Sequence, residues 1–161
     1  MRHLGAAKVI ATGRNETELA SLGADAVIPI GGDYERALIS ELSHGIDVVL
    51  DYLWGKTART VMIAIARSIE DAHPVRFVHI GGASGEESID LPGAALRSSA
   101  IQLMGSGAKS VPYSRLLDAV RSVFTIAVPE KLQIETKTVS LSAIADAWNA
   151  PGKPRVVVTM K

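Results

Sequence analysis

Residues 8–15 read Lys-Val-Ile-Ala-Thr-Gly-Arg-Asn, a strand-like run that ends in a glycine, a basic residue and an amide. Val, Ile and Thr favour extended backbone, and the glycine marks the end of the strand. The guanidinium of Arg14 can bind a phosphate group through two parallel hydrogen bonds, and Gly13 has no side chain to obstruct close approach. The same residues also fit an ordinary surface turn that ends a strand.

Further along the chain, β-branched runs alternate with amphipathic stretches, and this alternation predicts an α/β fold with a parallel sheet and flanking helices. We predict strands at residues 8–12, 26–29, 46–51, 76–80, 101–104, 134–139 and 155–160. We predict helices at residues 16–22, 34–42, 57–69, 113–127 and 142–148, a short helical run after Pro92 and a turn at 151–154. Of these, 46–51 is expected to be a buried central strand, 57–69 a well-buried helix and 113–127 a long crossover helix.

The composition excludes several classes of protein. The 161 residues carry a formal net charge of zero, so the basic field that a nucleic-acid surface needs is missing. Without cysteine there is no disulfide or thiolate metal site, and the histidines show no ligand spacing. No apolar run approaches the ~20 residues of a membrane helix and no signal peptide is recognisable, so we expect a cytoplasmic protein without a membrane partner.

The end of the first strand predicts which cofactor such a fold would bind. In a dinucleotide-binding βαβ unit, the second strand ends beside the adenosine ribose, where an acidic residue binds the 2′-hydroxyl of NAD and an Arg accommodates the 2′-phosphate of NADP. The first predicted strand of this chain, residues 8–12, behaves like that second strand. Arg14 then occupies the position beside the ribose, and the first carboxylate after it is Glu16. The sequence therefore predicts NADPH rather than NADH. The unit should start with a strand and a G-x-G-x-x-G loop, but neither precedes residues 8–12.

A set of short phrases, in a particular order, resembles the cofactor-binding half of the medium-chain dehydrogenase/reductase superfamily, in its zinc-independent quinone oxidoreductase-like branch. The resemblance covers nearly the whole chain. The phrases are Leu4-Gly5-Ala6, Leu22-Gly23-Ala24-Asp25, Asp47-Val48-Val49-Leu50-Asp51, Gly81-Gly82, Leu91-Pro92 with Leu96-Arg97-Ser98-Ser99, Met104-Gly105-Ser106-Gly107, Ala147-Trp148 and Arg155-Val156-Val157-Val158.

This resemblance implies a Rossmann-like fold that is truncated at the N-terminus, because the family's first strand, its glycine-rich loop and its N-terminal catalytic domain have no counterpart here. Residues 1–130 would be a partial dinucleotide-binding domain, and residues 131–161 a strand-helix-strand segment that returns into the catalytic domain. We expect a fragment of a longer enzyme or a truncated gene product. The absent strand lies centrally in the family's sheet, so direct pairing of its neighbours, a partner chain or partial disorder must close the gap.

The resemblance also implies a site at the carboxyl ends of the strands, where α/β sheets bind their ligands. Each of these residues also fits an ordinary turn, and Asp51 could instead cap the helix that begins near Gly55. The expected contacts are Gly13, Arg14 and Asn15 with the 2′-phosphate, Asp51 and Tyr52 with the adenine side, Gly82, Ala83 and Ser84 with the nicotinamide ribose, and Gly105 and Ser106 with the carboxamide.

Two functions remain open from the sequence. The resemblance implies a zinc-free, NADP(H)-dependent reductase of quinones or enones, similar to quinone reductases and alcohol dehydrogenases, with no residue that we name as a catalytic acid. The alternative is a non-catalytic remnant that self-associates and binds nucleotide weakly or not at all, since the pyrophosphate loop is absent. In relatives of this kind residues 99–106 lie at a dimer edge, so a homodimer is expected.

Three aromatic or titratable features are assigned to structure rather than to chemistry. Tyr52 and Lys56 have the Tyr-x-x-x-Lys spacing of short-chain dehydrogenases, but they follow a strand directly instead of lying on a helix. His79, within an apolar strand, is expected to be a core residue, and Trp54 and Trp148 are expected to be packing residues.

Overall fold

The computed structural model describes residues 1–149 and 154–160. They form seven strands and six α-helices, and the predicted strands and helices are all found, with boundaries shifted by a few residues at most. The strands are β1 (Ile10–Gly13), β2 (Ala26–Pro29), β3 (Val48–Asp51), β4 (Pro74–His79), β5 (Ala100–Gly105), β6 (Thr136–Ser140) and β7 (Arg155–Thr159). The helices are α1 (Glu16–Ser21), α2 (Tyr34–Leu42), α3 (Gly55–Ser68), α4 (Gly93–Arg97), α5 (Tyr113–Ala127) and α6 (Ile144–Trp148).

The chain divides into two compact units, Met1–Pro112 and Tyr113–Lys161. In the first unit β1 pairs with β2, while β3, β4 and β5 form a three-stranded sheet in that order. Every one of these pairings is parallel, which confirms the predicted mostly parallel α/β architecture. The predicted domain boundary near residue 130 stays a prediction.

The core of the first unit lies between the sheet strands and the helices α2 and α3. On α3 the side chains of Met62 and Ile65 are fully buried, because an apolar residue at every third or fourth position keeps one helix face against the sheet. Phe77 of β4 is also fully buried, and Leu38 of α2 joins the same cluster. The prediction of a well-buried helix at 57–69 is thereby confirmed.

The prediction that residues 46–51 form a buried central strand is wrong within the described residues. β3 is an edge of its three-stranded sheet, and Leu50 is 40% exposed. The cause is a gap: β1 and β3 belong to separate sheets, although Ile10 of β1 and Val49 of β3 both pack against the same core. Direct pairing, one of the three ways we considered to close this gap, does not occur among the described residues.

The second unit contains α5, β6, α6 and β7. The strands β6 and β7 are parallel to each other, as a strand-helix-strand segment requires. The helix α5 has the predicted bounds, but its apolar residues Val123 and Phe124 are exposed. Trp148 is 80% exposed, so its assignment to packing is wrong. Of the predicted turn at 151–154, residues 151–153 lie outside the described residues.

Candidate functional site

The carboxyl ends of three neighbouring strands place one residue each in a single row. Asp51 ends β3, His79 ends β4 and Gly105 ends β5, and the parallel register pairs Asp51 with His79 and His79 with Gly105. The N–H of Ser106 donates to the His79 carbonyl at 2.8 Å, which continues the ladder beyond β5. This edge of an α/β sheet is where ligands bind, so the row defines the candidate site.

Asp51 is the buried centre of this row, with only 7% of its surface exposed. Its Oδ1 accepts from the N–H of Leu53 at 3.1 Å, and its Oδ2 accepts from the N–H of Trp54 at 3.1 Å. The same Oδ2 lies 3.1 Å from Nδ1 of His79. A buried carboxylate needs several such partners to offset its desolvation, so Asp51 fixes both the turn after β3 and the imidazole.

Trp54 has a strained backbone next to this carboxylate. Its φ of 61° and ψ of −159° fall in a region that favours glycine. Such a conformation costs about 1–3 kcal/mol and persists only where the surroundings impose it. Here the Asp51 hydrogen bond holds the Trp54 backbone, and the indole lies against His79, with ring centroids 4.3 Å apart and planes at 40°. The strain therefore positions the indole beside the imidazole.

The first of two cavities at the row lies between the ends of β1 and β3, and we call it the Arg14 cavity. Its volume is about 200 Å³, and four predicted site residues line it: Gly13, Arg14, Asp51 and Tyr52. Arg14 is exposed and forms no ion pair with another described residue. Its guanidinium is therefore available to an anionic ligand.

The second cavity, which we call the His79 cavity, opens on the other side of the row. It measures about 500 Å³, a size typical of small-molecule sites, and is lined by Trp54, His79, Gly82, Gly85, Glu86 and Glu87. A side chain added at Gly82 or at Gly105 would meet no atom within 4 Å, so a ligand can approach the backbone closely at both positions.

The remaining predicted site residues support loops around the row. Asn15 caps α1, because its Oδ1 accepts from the N–H of Glu18 at 3.2 Å. The N–H of Ala83 donates to the Tyr52 carbonyl at 2.9 Å, which ties the loop after β4 to the turn after β3. The Ser84 hydroxyl accepts from the N–H of Glu86 at 3.0 Å and so shapes the same loop. Neither Asn15 nor Ala83 nor Ser84 lines the two cavities.

The alternative role that we considered for Asp51, a cap on the following helix, is wrong. The carboxylate binds the turn at Leu53 and Trp54 and forms no cap on α3. Glu86 takes that place instead, since its Oε2 accepts from the N–H of Lys56 in the first turn of α3 at 2.9 Å. A carboxylate at a helix N-terminus also interacts favourably with the helix dipole.

Sequence reasoning missed His79 as a site residue. Its expected place in the core is wrong, since 34% of its side chain is exposed and it lines a cavity. Trp54 does pack against the core, as expected, but it also lines this cavity. The signal that could have found the pair is positional: Asp51 and His79 each end a strand, and neighbouring parallel strands place such residues side by side. Tyr52 precedes α3 while Lys56 lies within it, so the short-chain dehydrogenase arrangement is absent from this turn.

A buried phenol lies behind the Arg14 cavity. Tyr34 is only 8% exposed, and its hydroxyl makes no hydrogen bond of ordinary geometry among the described residues, although Thr12 lies close enough to act on it. Burial, the largest effect, raises the pKa of Tyr34, Thr12 opposes part of this rise, and the charge of Asp51 adds to it.

In the part of the chain that the structure describes, no three His, Asp or Glu side chains lie close enough together to hold a metal ion. Among these residues there is also no helix with the length and apolar character to cross a bilayer.

No protein-family model and no curated protein sequence matches the chain. Solved structures do match. CurA of Vibrio vulnificus, in complex with NADPH, is 19% identical with a TM-score of 0.63 over 88% of this chain and 44% of that chain. A protein of Mesorhizobium loti described as an NADPH:quinone reductase is 18% identical with a TM-score of 0.67 over 92% and 45%. A protein of Bacillus thuringiensis, also described as an NADPH:quinone reductase, is 22% identical with a TM-score of 0.59 over 96% of this chain and 49% of that chain.

These matches confirm the predicted fold. At 18–22% identity the likeness extends to the fold of the chain and not to its chemistry. The chain spans less than half of each of these solved proteins.

Proposed function

We propose that the chain is the NADP(H)-binding part of a zinc-free oxidoreductase that reduces quinones or enones. The observation that carries this proposal is the row of strand ends, with the Arg14 guanidinium beside it, unpaired among the described residues, and an open backbone at Gly82 and Gly105. A cofactor with an anionic 2′-phosphate at one end and a neutral nicotinamide at the other matches this distribution of charge.

The residues present fit such a cofactor from one cavity to the other. Arg14 would bind the 2′-phosphate bidentately, with Gly13 and Asn15 beside it and Tyr52 near the adenine side. Gly82, Ala83 and Ser84 would approach the nicotinamide ribose, and Gly105 and Ser106 the carboxamide. Asp51 acts through its hydrogen bonds to the turn and to His79, because its carboxylate is already occupied. When bound, the cofactor supplies a hydride.

Binding is expected to be weak for this chain. A pyrophosphate is normally held at the N-terminus of the helix that follows a glycine-rich loop. No G-x-G-x-x-G loop leads into a helix within residues 1–161, so these residues lack this means of holding the pyrophosphate. The affinity must therefore come mainly from the 2′-phosphate and nicotinamide ends.

Calorimetric titration of the 161-residue chain with NADPH and, in parallel, NADH tests the proposal. We expect saturable binding that favours NADPH, and the Arg14→Ala variant should weaken NADPH about tenfold while leaving NADH unchanged. Arg36→Ala, which removes an exposed charge on α2, is the matched control and should leave both affinities unchanged. Absence of binding to either cofactor contradicts the proposal.

A second candidate function is that of a non-catalytic remnant whose main property is self-association. One observation favours it: β5 is an edge strand within the described sheet, and Leu103 and Met104 on it are each 46% exposed. An exposed apolar edge can pair with another chain, so a homodimer through β5 follows from this candidate and is compatible with the first.

Light scattering coupled to size exclusion separates the two candidates when it is combined with the titration. We expect a dimer that Leu103→Lys converts to a monomer, because a charged edge disfavours pairing. The control Leu22→Lys changes another exposed leucine, 64% exposed and at the end of α1, and should leave the dimer intact. A dimer without cofactor binding supports the remnant, whereas cofactor binding supports the reductase.

A further inference from the structure

We propose that His79 is the proton donor of this reduction and that Asp51 and Trp54 are the residues that position it. The inference rests on the proposed function, since it takes NADP(H) as the source of the hydride. It adds a named acid to a site in which the sequence suggested none.

The orientation of the imidazole follows from the register of two strands. Asp51 and His79 are paired positions on β3 and β4, so their side chains leave the same face of the sheet. The Nδ1–H of the imidazole donates to Oδ2 of Asp51 at 3.1 Å, and a carboxylate that already holds two backbone N–H groups cannot turn away. This leaves Nε2, which has no partner among the described residues, as the nitrogen that can carry a transferable proton.

The imidazole of His79 is held at Nδ1 by Asp51 and also against its face by the Trp54 indole. The Trp54 indole lies 4.3 Å from the imidazole, centroid to centroid, and the glycine-like backbone of Trp54 keeps it there. Two contacts, one through Nδ1 and one through the ring face, therefore restrict the rotation of His79. A proton donor that is held in this way needs little reorganisation when the substrate arrives.

The surroundings of His79 are those of an accessible acid. It lines a cavity of about 500 Å³ together with Gly82, whose backbone is open to a ligand. The charged groups that face it are Asp51 from β3 and Glu86 and Glu87 from the loop after β4, all of them acidic. Gly105 and Ser106, at the end of β5, add no charge.

The reduction of a conjugated carbonyl needs one hydride and one proton, and His79 supplies the proton. A conjugated carbonyl that accepts the hydride at its β-carbon loses its C=C bond and gains negative charge on the α-carbon and the oxygen. His79 transfers the Nε2 proton to that centre, so an N–H bond breaks, a C–H or O–H bond forms, and the imidazolium becomes neutral imidazole. Solvent returns the proton through the open cavity before the next turnover.

Turnover of the 161-residue chain with NADPH and cyclohexenone gives the first readout. We expect His79→Gln to lower kcat about 100-fold while the calorimetric Kd for NADPH stays within about twofold. The wild-type rate should fall as the pH rises, because only the imidazolium donates, and the variant rate should not follow this fall. His73→Gln is the matched control, since His73 pairs with Asp47 at 3.3 Å at the opposite end of β4.

Imidazole ¹⁵N NMR gives a second readout that needs no turnover. In the chain without cofactor, His79 should remain protonated at Nδ1 when it becomes neutral, and Asp51→Asn should abolish this tautomer preference. A neutral His79 without a tautomer preference in the wild type overturns the positioning by Asp51, even if His79→Gln fails to fold.

The outcomes separate this inference from the function on which it rests. If NADPH does not bind, both fall. If NADPH binds and His79→Gln keeps the wild-type kcat and pH profile, or if the wild type does not oxidise bound NADPH, the role of His79 falls while the cofactor site stands.

Discussion

The two cavities of the candidate site differ in how their side chains are held. In the His79 cavity, a buried carboxylate and a strained backbone fix an imidazole and an indole against each other. In the Arg14 cavity, the functional group is an exposed guanidinium at the end of β1, a strand whose sheet is separate from that of β3. In the two proposals above, cofactor recognition depends on one local side chain, whereas proton transfer depends on an arrangement of residues that are distant in sequence.

The largest loss of stability is expected on substitution of Asp51, the buried carboxylate that holds His79. Asp51→Ala leaves two backbone N–H groups and the His79 imidazole without their acceptor, so the free energy of unfolding should fall by about 2–3 kcal/mol. Urea denaturation measures this loss. Asp71→Ala, which removes an exposed carboxylate, serves as the control, and an equal effect of the two substitutions would mean that Asp51 does not organise the site.

A smaller effect is expected at Gly55, which begins α3 next to Glu86, a lining residue of the His79 cavity. The φ of Gly55 is +63°, and a Cβ there would lie 2.6 Å from Oε2 of Glu86. Gly55→Ala should therefore lower the free energy of unfolding by about 1–2 kcal/mol. Gly82→Ala, where the added methyl meets open space, should change stability little. Thermal denaturation of the two variants tests this difference, and equal stabilities would mean that Glu86 moves aside for a methyl group at position 55.

An effect of opposite sign is expected behind the Arg14 cavity. Because the buried Tyr34 hydroxyl makes no hydrogen bond of ordinary geometry among the described residues, Tyr34→Phe should leave stability unchanged or raise it by about 1 kcal/mol. The raised pKa of Tyr34 implies that its phenolate forms only above the ordinary tyrosine range, so its ionisation at high pH destabilises the fold. Spectrophotometric titration of wild type and variant checks this, and a marked loss of stability in Tyr34→Phe would indicate a bound partner for the hydroxyl.

The smallest effect concerns the exposed start of the β1–β2 pair. Arg2 and the N–H of Val9 both bind Asp25, and these two contacts, the Arg2 hydrogen bond first, lower its pKa. A lowered carboxyl pKa stabilises the fold above the ordinary value and loses that contribution as the pH falls through the folded-state value. Asp25→Asn should therefore be less stable than the wild type at neutral pH and equal to it in acid. A difference that persists in acid would mean that charge is not the cause.

The sequence predicted well what depends on neighbouring residues. The bounds of β2, α2 and α5 follow from periodicity and flanking turn residues and were predicted to the residue. The placement of Gly13 and Arg14 beside Asp51 and Tyr52 also followed, because parallel strands end at one edge.

What the sequence did not predict depends on contacts between distant segments. His79 lies 28 residues from Asp51, and only the register of β3 and β4 brings the two together. The edge position of β3 likewise depends on long-range pairing, because among the described residues β1 and β3 belong to separate sheets, which no property of residues 46–51 reveals. Hydrophobic periodicity reports which residues can be buried, but not which partner covers them.

Amide chemical-shift mapping with NADPH tests the central claim most directly, namely that the carboxyl ends of β1, β3, β4 and β5 form one cofactor crevice. We predict that saturating NADPH shifts the amides of Gly13, Arg14, Gly82 and Gly105 and leaves the opposite end of the sheet, around His73 and Ser98, unchanged. Shifts confined to that opposite end, or no shifts at all, would contradict the account.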